Sequence, residues 1–401
     1  GSEDLENSLW ARSFLTFGKA YREDIARAHN VSVLLHCNVL DLTLSCCGTR
    51  VDEARISAFE GRRGKVKARQ FVLACGGIEN ARLLLLSNTA KPKGIGNDRD
   101  LVGRYFMDHP IVKLGAISVP FPQPMLRQCS PVKQGPGFTA YHEITLAENS
   151  QVQHQTLNCR VRAMPVEGQV PRGVAALRSL RSHNRSAANE DELVKRGIDI
   201  SLRLPRLQPA IPEKRSIVPT LLDLGVGAGG VGRAIVRKLT GQSAVAIQHF
   251  DLFGFFEQAP NPDSRITLGD ELDALGQRKV QIDWRLKILD WHTYRTTAKL
   301  FGEGLARHFS GRYHPEEWVS ADKSCEAHHV RGAAHHLGTT RMSKTPATGV
   351  VDIDCLVHGI ENLYIAGSSV FPCGGWAFPT LTIIALSLRL ADHLRRRFAK
   401  L

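Results

Sequence analysis

Residues 71–81 read FVLACGGIENA, and the pattern changes twice within that stretch. A β-rich run over 65–74 is broken by Cys75-Gly76-Gly77, and residues 78–86 resume with helical spacing. Strand, glycine turn and helix in that order suit an α/β nucleotide-binding layer. The N-terminus of such a helix offers backbone N–H groups to a phosphate or ribose.

Upstream, residues 31–35 and 38–44 read as short strands. With 56–58 and 65–74 they predict a small antiparallel unit. Downstream, alternation over 112–119, 156–163, 250–257 and 279–284 predicts strands of a larger sheet, and 290–309 reads as a helix. A basic, polar stretch over about 170–245 reads as helix with loops. The C-terminal part returns to the α/β pattern, with a strand over 363–366, a Gly367-Ser368-Ser369 turn and a long helix over 380–398.

The composition of the 401 residues, 43% apolar and 23% charged, is that of a globular chain long enough to bury its own core. No transmembrane run is visible, and Gly1-Ser2-Glu3-Asp4 is too polar for a signal peptide; Gly1-Ser2 reads as a cloning remnant. The net charge of +13 is dispersed, and no nucleic-acid module accompanies it, so neither nucleic acid nor a membrane is expected as a partner. Nine scattered cysteines without a Cys-x-x-Cys suggest a reduced, cytoplasmic setting.

Five segments then recur in a recognisable order. They are Asn38-Val39 with the strand ending in ACGGIENA (74–81), GRYFMDHP (103–110), EQAPNPDSR (257–265), HHLGTTRM (335–342), and NLYIAGSSVFP (362–372) with PTLTI (379–383). Together they resemble the C-terminal two-thirds of the glucose–methanol–choline (GMC) flavin oxidoreductases, closest to the pyranose-oxidase-like bacterial branch.

The resemblance implies FAD and hydride transfer from an alcohol carbon to the flavin, while a base removes the hydroxyl proton. A neutral imidazole suits that task. Residue by residue, the catalytic histidine falls on His335, with His336 in support. The family's second histidine or asparagine falls on Phe378, which neither donates nor accepts a hydrogen bond and reads as a packing aromatic. Gly367 and Ser368 would lie along the flavin diphosphate or ribityl chain, and Ala377, Pro379 and Thr380 beside the ring. Val39, Cys75 and Gly76 would line the adenosine end.

The family's N-terminal G-x-G-x-x-G fingerprint has no counterpart here. Gly225-Val226-Gly227-Ala228-Gly229-Gly230 matches the pattern, but no buried β-run precedes it, so a glycine loop ahead of a basic helix is the expectation. The missing segment could lie on another chain, or the polypeptide could be a shortened or processed piece. Alternatively the scaffold has lost the flavin, and His335 serves lyase, isomerase or cyclase chemistry; a non-catalytic binding subunit is a further reading. His328-His329 and His335-His336 match no standard zinc spacing, so no metal is expected. Asp108-His109 looks like a relay pair but lacks a nucleophile motif and reads as structural. Cys373 is expected as a buried, inert thiol.

The expected fold is therefore α/β plus α+β. An incomplete FAD-binding Rossmann-like domain comes from 1–109 and 331–401, and a sheet-based substrate domain from 110–330. An alcohol, sugar or natural product is the expected substrate, with a second polypeptide carrying the rest of the flavin site.

Overall fold

The computed structural model describes residues 4–13, 16–130, 132–133, 138–180, 223, 225–239, 243–320 and 330–398. Two compact units are woven from alternating segments. The first takes the described residues within 1–13, 111–255 and 293–333; the second takes those within 14–110, 256–292 and 334–401. Among the described residues, 4–13, 110, 256–292 and 331–333 thus fall on the other side of the division from the boundaries drawn on sequence alone.

In the second unit, β2 (Asn38–Leu44), β3 (Val51–Ser57) and β4 (Arg63–Val66) form the expected antiparallel sheet. The run over 65–74 is not one strand. It stops at Val66 and restarts as β5 (Phe71–Leu73), which leaves the antiparallel sheet and pairs in parallel with β15 (Leu363–Ile365). Asn362 causes the change of partner. Its buried amide donates to the carbonyls of Val51 and Arg69, accepts from Val51 N–H at 2.8 Å, and its own carbonyl takes the Phe71 N–H at 2.9 Å. Residues 31–35 form no ladder. Val33, Leu34 and Leu35 are exposed, because β propensity without a partner strand does not make a strand.

The helix Gly76–Leu86 follows β5, and Leu83 and Leu84 of its inner face join Leu42, Leu73, Tyr364 and Ile365 in the core. The helix Thr380–Phe398, placed where the sequence put it, adds Leu390, Ile383, Leu386 and Leu394 to the same core. These positions recur every three or four residues, as one face of a helix must. A hairpin of β11 (Arg265–Leu272) and β12 (Arg278–Asp283) is tied to the first helix by Arg82, whose guanidinium lies 2.7 Å from Asp273.

The first unit is built on an eight-stranded sheet. Its main path runs β1 (Leu5–Ser13), β8 (Phe138–Leu146), β9 (Cys159–Glu167), β10 (Ile247–Phe256), β6 (Pro110–Ser118) and β13 (Arg312–Pro315). Short strands β7 (Val132–Lys133) and β14 (Val330–Gly332) attach to β8 and β6. β9 begins three residues later than the expected strand at 156, because the Leu157 N–H is taken by Thr293 Oγ1 at 3.0 Å instead of a ladder carbonyl.

The glycine run at 225–230 leads into the helix Ala228–Leu239. It is close-packed at two positions: a Cβ on Gly227 would stand 2.2 Å from the Gly173 nitrogen and one on Gly230 2.7 Å from Pro171, while Gly225 faces open space. Residues 181–222 and the His328-His329 pair lie outside the described residues. Among the described residues no helix is long and apolar enough to cross a membrane.

Candidate active site

All of the geometry that follows lies within the second unit. β5 and β15 run in parallel and both end in a turn. Ligands in open parallel sheets bind beyond the carboxyl ends of the strands, where such turns gather. The Ala366 N–H reaches the Leu73 carbonyl at 2.7 Å, so the two chains stay together as they leave the ladder. Asn80, fully buried in the first turns of the helix Gly76–Leu86, then joins the turns to each other. Its Oδ1 accepts from Cys75 N–H at 2.9 Å, and its Nδ2 donates to the Ala366 carbonyl at 3.2 Å and Ser369 Oγ at 2.9 Å. Cys75 and Gly76 are therefore brought together with Gly367 and Ser368.

Gly76 at φ +89° and Gly367 at φ +108° adopt backbone conformations that other residues rarely enter, and nothing lies within 4 Å of where a Cβ would stand on either. Open space beside two turns whose residues are glycine is what the approach of an extended ligand to backbone N–H groups requires. That open space leaves room for the diphosphate or ribityl chain of a flavin at Gly367 and for its adenosine end at Gly76.

The loop carrying His335 is fastened to the same turns. Ser368 Oγ donates to the His336 carbonyl at 2.7 Å, and Gly338 N–H donates to the Ser368 carbonyl at 3.2 Å. Gly77 sits so close that a Cβ would meet the His336 oxygen at 2.3 Å. Thr339 Oγ1 donates to the Gly77 carbonyl at 2.5 Å.

Below the loop, the buried Asp108 carboxylate accepts three backbone N–H groups, from His109 at 2.7 Å, His335 at 2.9 Å and Ala334 at 3.1 Å. Ala334 has φ +58°, an uncommon conformation for a residue with a Cβ, and the Asp108 bond helps hold it there. Two aromatic rings are seen against the His335 ring. His109 meets it with Nδ1 to Nδ1 at 3.0 Å, and Phe378 packs against it at 4.9 Å between ring centres with the planes 65° apart. Phe378 is thus a packing aromatic on the candidate base. His336 turns to Phe106, at 5.6 Å between ring centres.

Ala377 is exposed, Pro379 is buried, and Thr380 opens the C-terminal helix, with the Pro379 carbonyl accepting from Ile383 N–H at 2.9 Å. Val39 lies apart from this cluster in hydrogen bonding: it sits on β2, pairs with Ile56 and is 44% exposed. Cys373, expected to be buried, is exposed, although partial burial and Glu257 push its thiol pKa up.

Of three residues that organise the site, Asn80 had no role on sequence alone, and Asp108 and His109 were read only as structural. Asn80, Asp108 and His109 all sit inside the quoted segments. A buried amide or carboxylate next to a glycine turn is the signal that could have singled them out, because such groups are kept only where they satisfy backbone N–H groups.

The GMC oxidoreductase family model matches residues 260–387. The chain is 24% identical over 339 residues to the fructose dehydrogenase large subunit of Gluconobacter japonicus, covering 82% of this chain and 48% of that protein. It is 31% identical over 147 residues to the 6'''-hydroxyparomomycin C oxidase of Streptomyces lividus, covering 34% of this chain and 24% of that protein. Among solved structures, pyridoxine 4-oxidase from Mesorbium loti superposes with a TM-score of 0.54 at 18% identity, over 95% of this chain and 62% of that one. The chain therefore spans about half the length, or less, of the curated relatives it matches.

Proposed function

On the premise that this chain is a GMC oxidoreductase, with the family's C-terminal region at 260–387, we propose that it is the larger part of a flavin enzyme oxidising an alcohol or sugar-like substrate. The observation that carries the reading is the joining of the Cys75–Gly76 and Gly367–Ser368 turns through Asn80, with the His335 loop bonded to Ser368. Gly367 and Ser368 would hold the diphosphate or ribityl chain, Cys75 and Gly76 the adenosine end, and Ala377, Pro379 and Thr380 the ring. A bound flavin supplies the hydride acceptor. His335 takes the hydroxyl proton of the substrate as the hydride leaves. Phe378 contributes an apolar wall to the imidazole and excludes water from it. The second unit is then the flavin-binding part and the first the substrate-binding part.

The remaining flavin-binding segment comes from polypeptide outside these 401 residues. Apolar side chains that a packed α/β layer would cover support this. Val72 stands 44% exposed in the middle of β5, and Leu381, Ile384 and Leu388 form an exposed stripe on the C-terminal helix, opposite the face in the core. Parallel strands are ordinarily covered on both faces. The scattered cysteines, all free among those described, suit a reduced, cytoplasmic setting.

Absorbance of the protein purified from its native source, with whatever polypeptide accompanies it, tests the reading. The near-ultraviolet and blue bands of an oxidised flavin are expected. A colourless, active protein would transfer the case to flavin-independent acid–base chemistry at His335. In the coloured enzyme, His335→Ala should lower kcat by about 10²–10⁴-fold with flavin content unchanged; a subunit that only binds would not respond.

A further inference from the structure

We infer that His109 is a positioning residue that sets the tautomer of His335. The inference rests on reading His335 as the base, and its test reads a different quantity.

The argument is one of donors and acceptors. His109 is 1% exposed, and its Nε2 lies 2.9 Å from the Gly375 carbonyl. A carbonyl only accepts, so that nitrogen carries hydrogen. A neutral imidazole has one N–H, which leaves His109 Nδ1 as an acceptor. It faces His335 Nδ1 at 3.0 Å, a contact that needs one hydrogen between two nitrogens. That hydrogen belongs to His335. Its Nδ1 is therefore the donor, and its Nε2 is the nitrogen with the basic lone pair.

The opposite arrangement requires a doubly protonated His109 in a site only 1% open to water. Burying that charge is costly. The chain closes tightly around the ring. A Cβ on Gly374 would stand 3.7 Å from His109 Nε2. Gly375 takes φ +59°, and its N–H reaches Glu257 Oε1 at 3.4 Å while its carbonyl meets the imidazole. A base of the wrong tautomer would present an N–H to a substrate hydroxyl and could not accept its proton.

The test is the 15N signature of His335 in histidine-labelled protein at a pH where it is neutral, with the signal assigned by its loss in His335→Ala. The wild type is expected to be the Nδ1–H form. His109→Asn places an amide oxygen near where Nδ1 sits and should retain that form. His109→Leu, of similar size and without an acceptor, should convert His335 largely to the Nε2–H form. In flavin-loaded enzyme the leucine variant should lose about 10²-fold in kcat, with KM little changed and asparagine restoring most of the loss. An Nε2–H signature in the wild type overturns the inference even if the leucine variant does not fold. So does an unchanged tautomer in a folded leucine variant. Neither result bears on whether flavin is bound, which absorbance decides separately.

Discussion

In the second unit, Asn80, Asp108 and Asn362 are buried with their side chains bonded largely to backbone groups of distant segments. In the first unit, the buried polar residues that stand out are charged and bonded to one another. Glu143 on β8 is held between Arg160 and Arg162 of β9, with Arg162 Nε at 2.6 Å, and Arg160 also stacks over Phe255 at 4.1 Å from the ring centre. A buried amide or carboxylate that holds backbone groups fixes where turns go, which is what a site needs. A buried ionic cluster between neighbouring strands fixes register and contributes little net stability while intact, but it is costly to break.

The largest effect should follow from breaking that cluster. Glu143→Gln leaves two guanidiniums without their carboxylate and should destabilise the protein by about 3–5 kcal/mol in denaturant unfolding. A cost below about 1 kcal/mol would mean the charges are not coupled, and the contrast between the units would disappear.

Next comes Asn80→Ala, with an expected cost of about 1–3 kcal/mol and faster hydrogen exchange at Cys75 N–H. Unchanged exchange there would show the two turns to be held by something else.

A glycine pair spans the same range and below. Gly77→Ala should cost about 1–3 kcal/mol, because its Cβ meets the His336 carbonyl and the backbone must move. Gly76→Ala meets open space and should cost only about 1 kcal/mol of backbone strain. Reversal of that order would argue against the close fit of the His335 loop.

The mildest test uses thiols. Hydrogen bonds from Ser45 and Thr49 lower the pKa of the exposed Cys47 to about 7 in the second unit. Burial pushes Cys159 of the first unit up to about 12. Since the thiolate is the nucleophile, mass spectrometry should find Cys47 alkylated first, at a rate rising through neutral pH, with Cys159 untouched until unfolding.

Much of this was legible in the sequence where information is contiguous. The strand Asn38–Leu44 and the helix Thr380–Phe398 carry their own periodicity and were placed at their observed ends. The two turns were legible because their glycines mark conformations that other side chains avoid. The break in the run over 65–74 was not, because Asn362, which redirects it, lies 293 positions from Arg69. The same holds for His109. Its meaning depends on a carbonyl 266 positions away and an imidazole 226 positions away, and its neighbours Asp108 and Pro110 suggest only a junction. The ionic cluster escaped notice because strand register decides which charges meet, and single-chain patterning does not give register.

The parallel ladder between β5 and β15 bears on the order of events during synthesis. Asn80 reaches Ala366 across 286 positions. At roughly 5–20 residues per second, the first turn waits tens of seconds on the ribosome for its mate. During that interval β5 has an unsatisfied edge and an uncovered Val72, while the neighbouring hairpins can close at once. The joined turns should therefore be among the last features to form in the nascent chain, and the emerging polypeptide should be a client for chaperones that shield open strand edges.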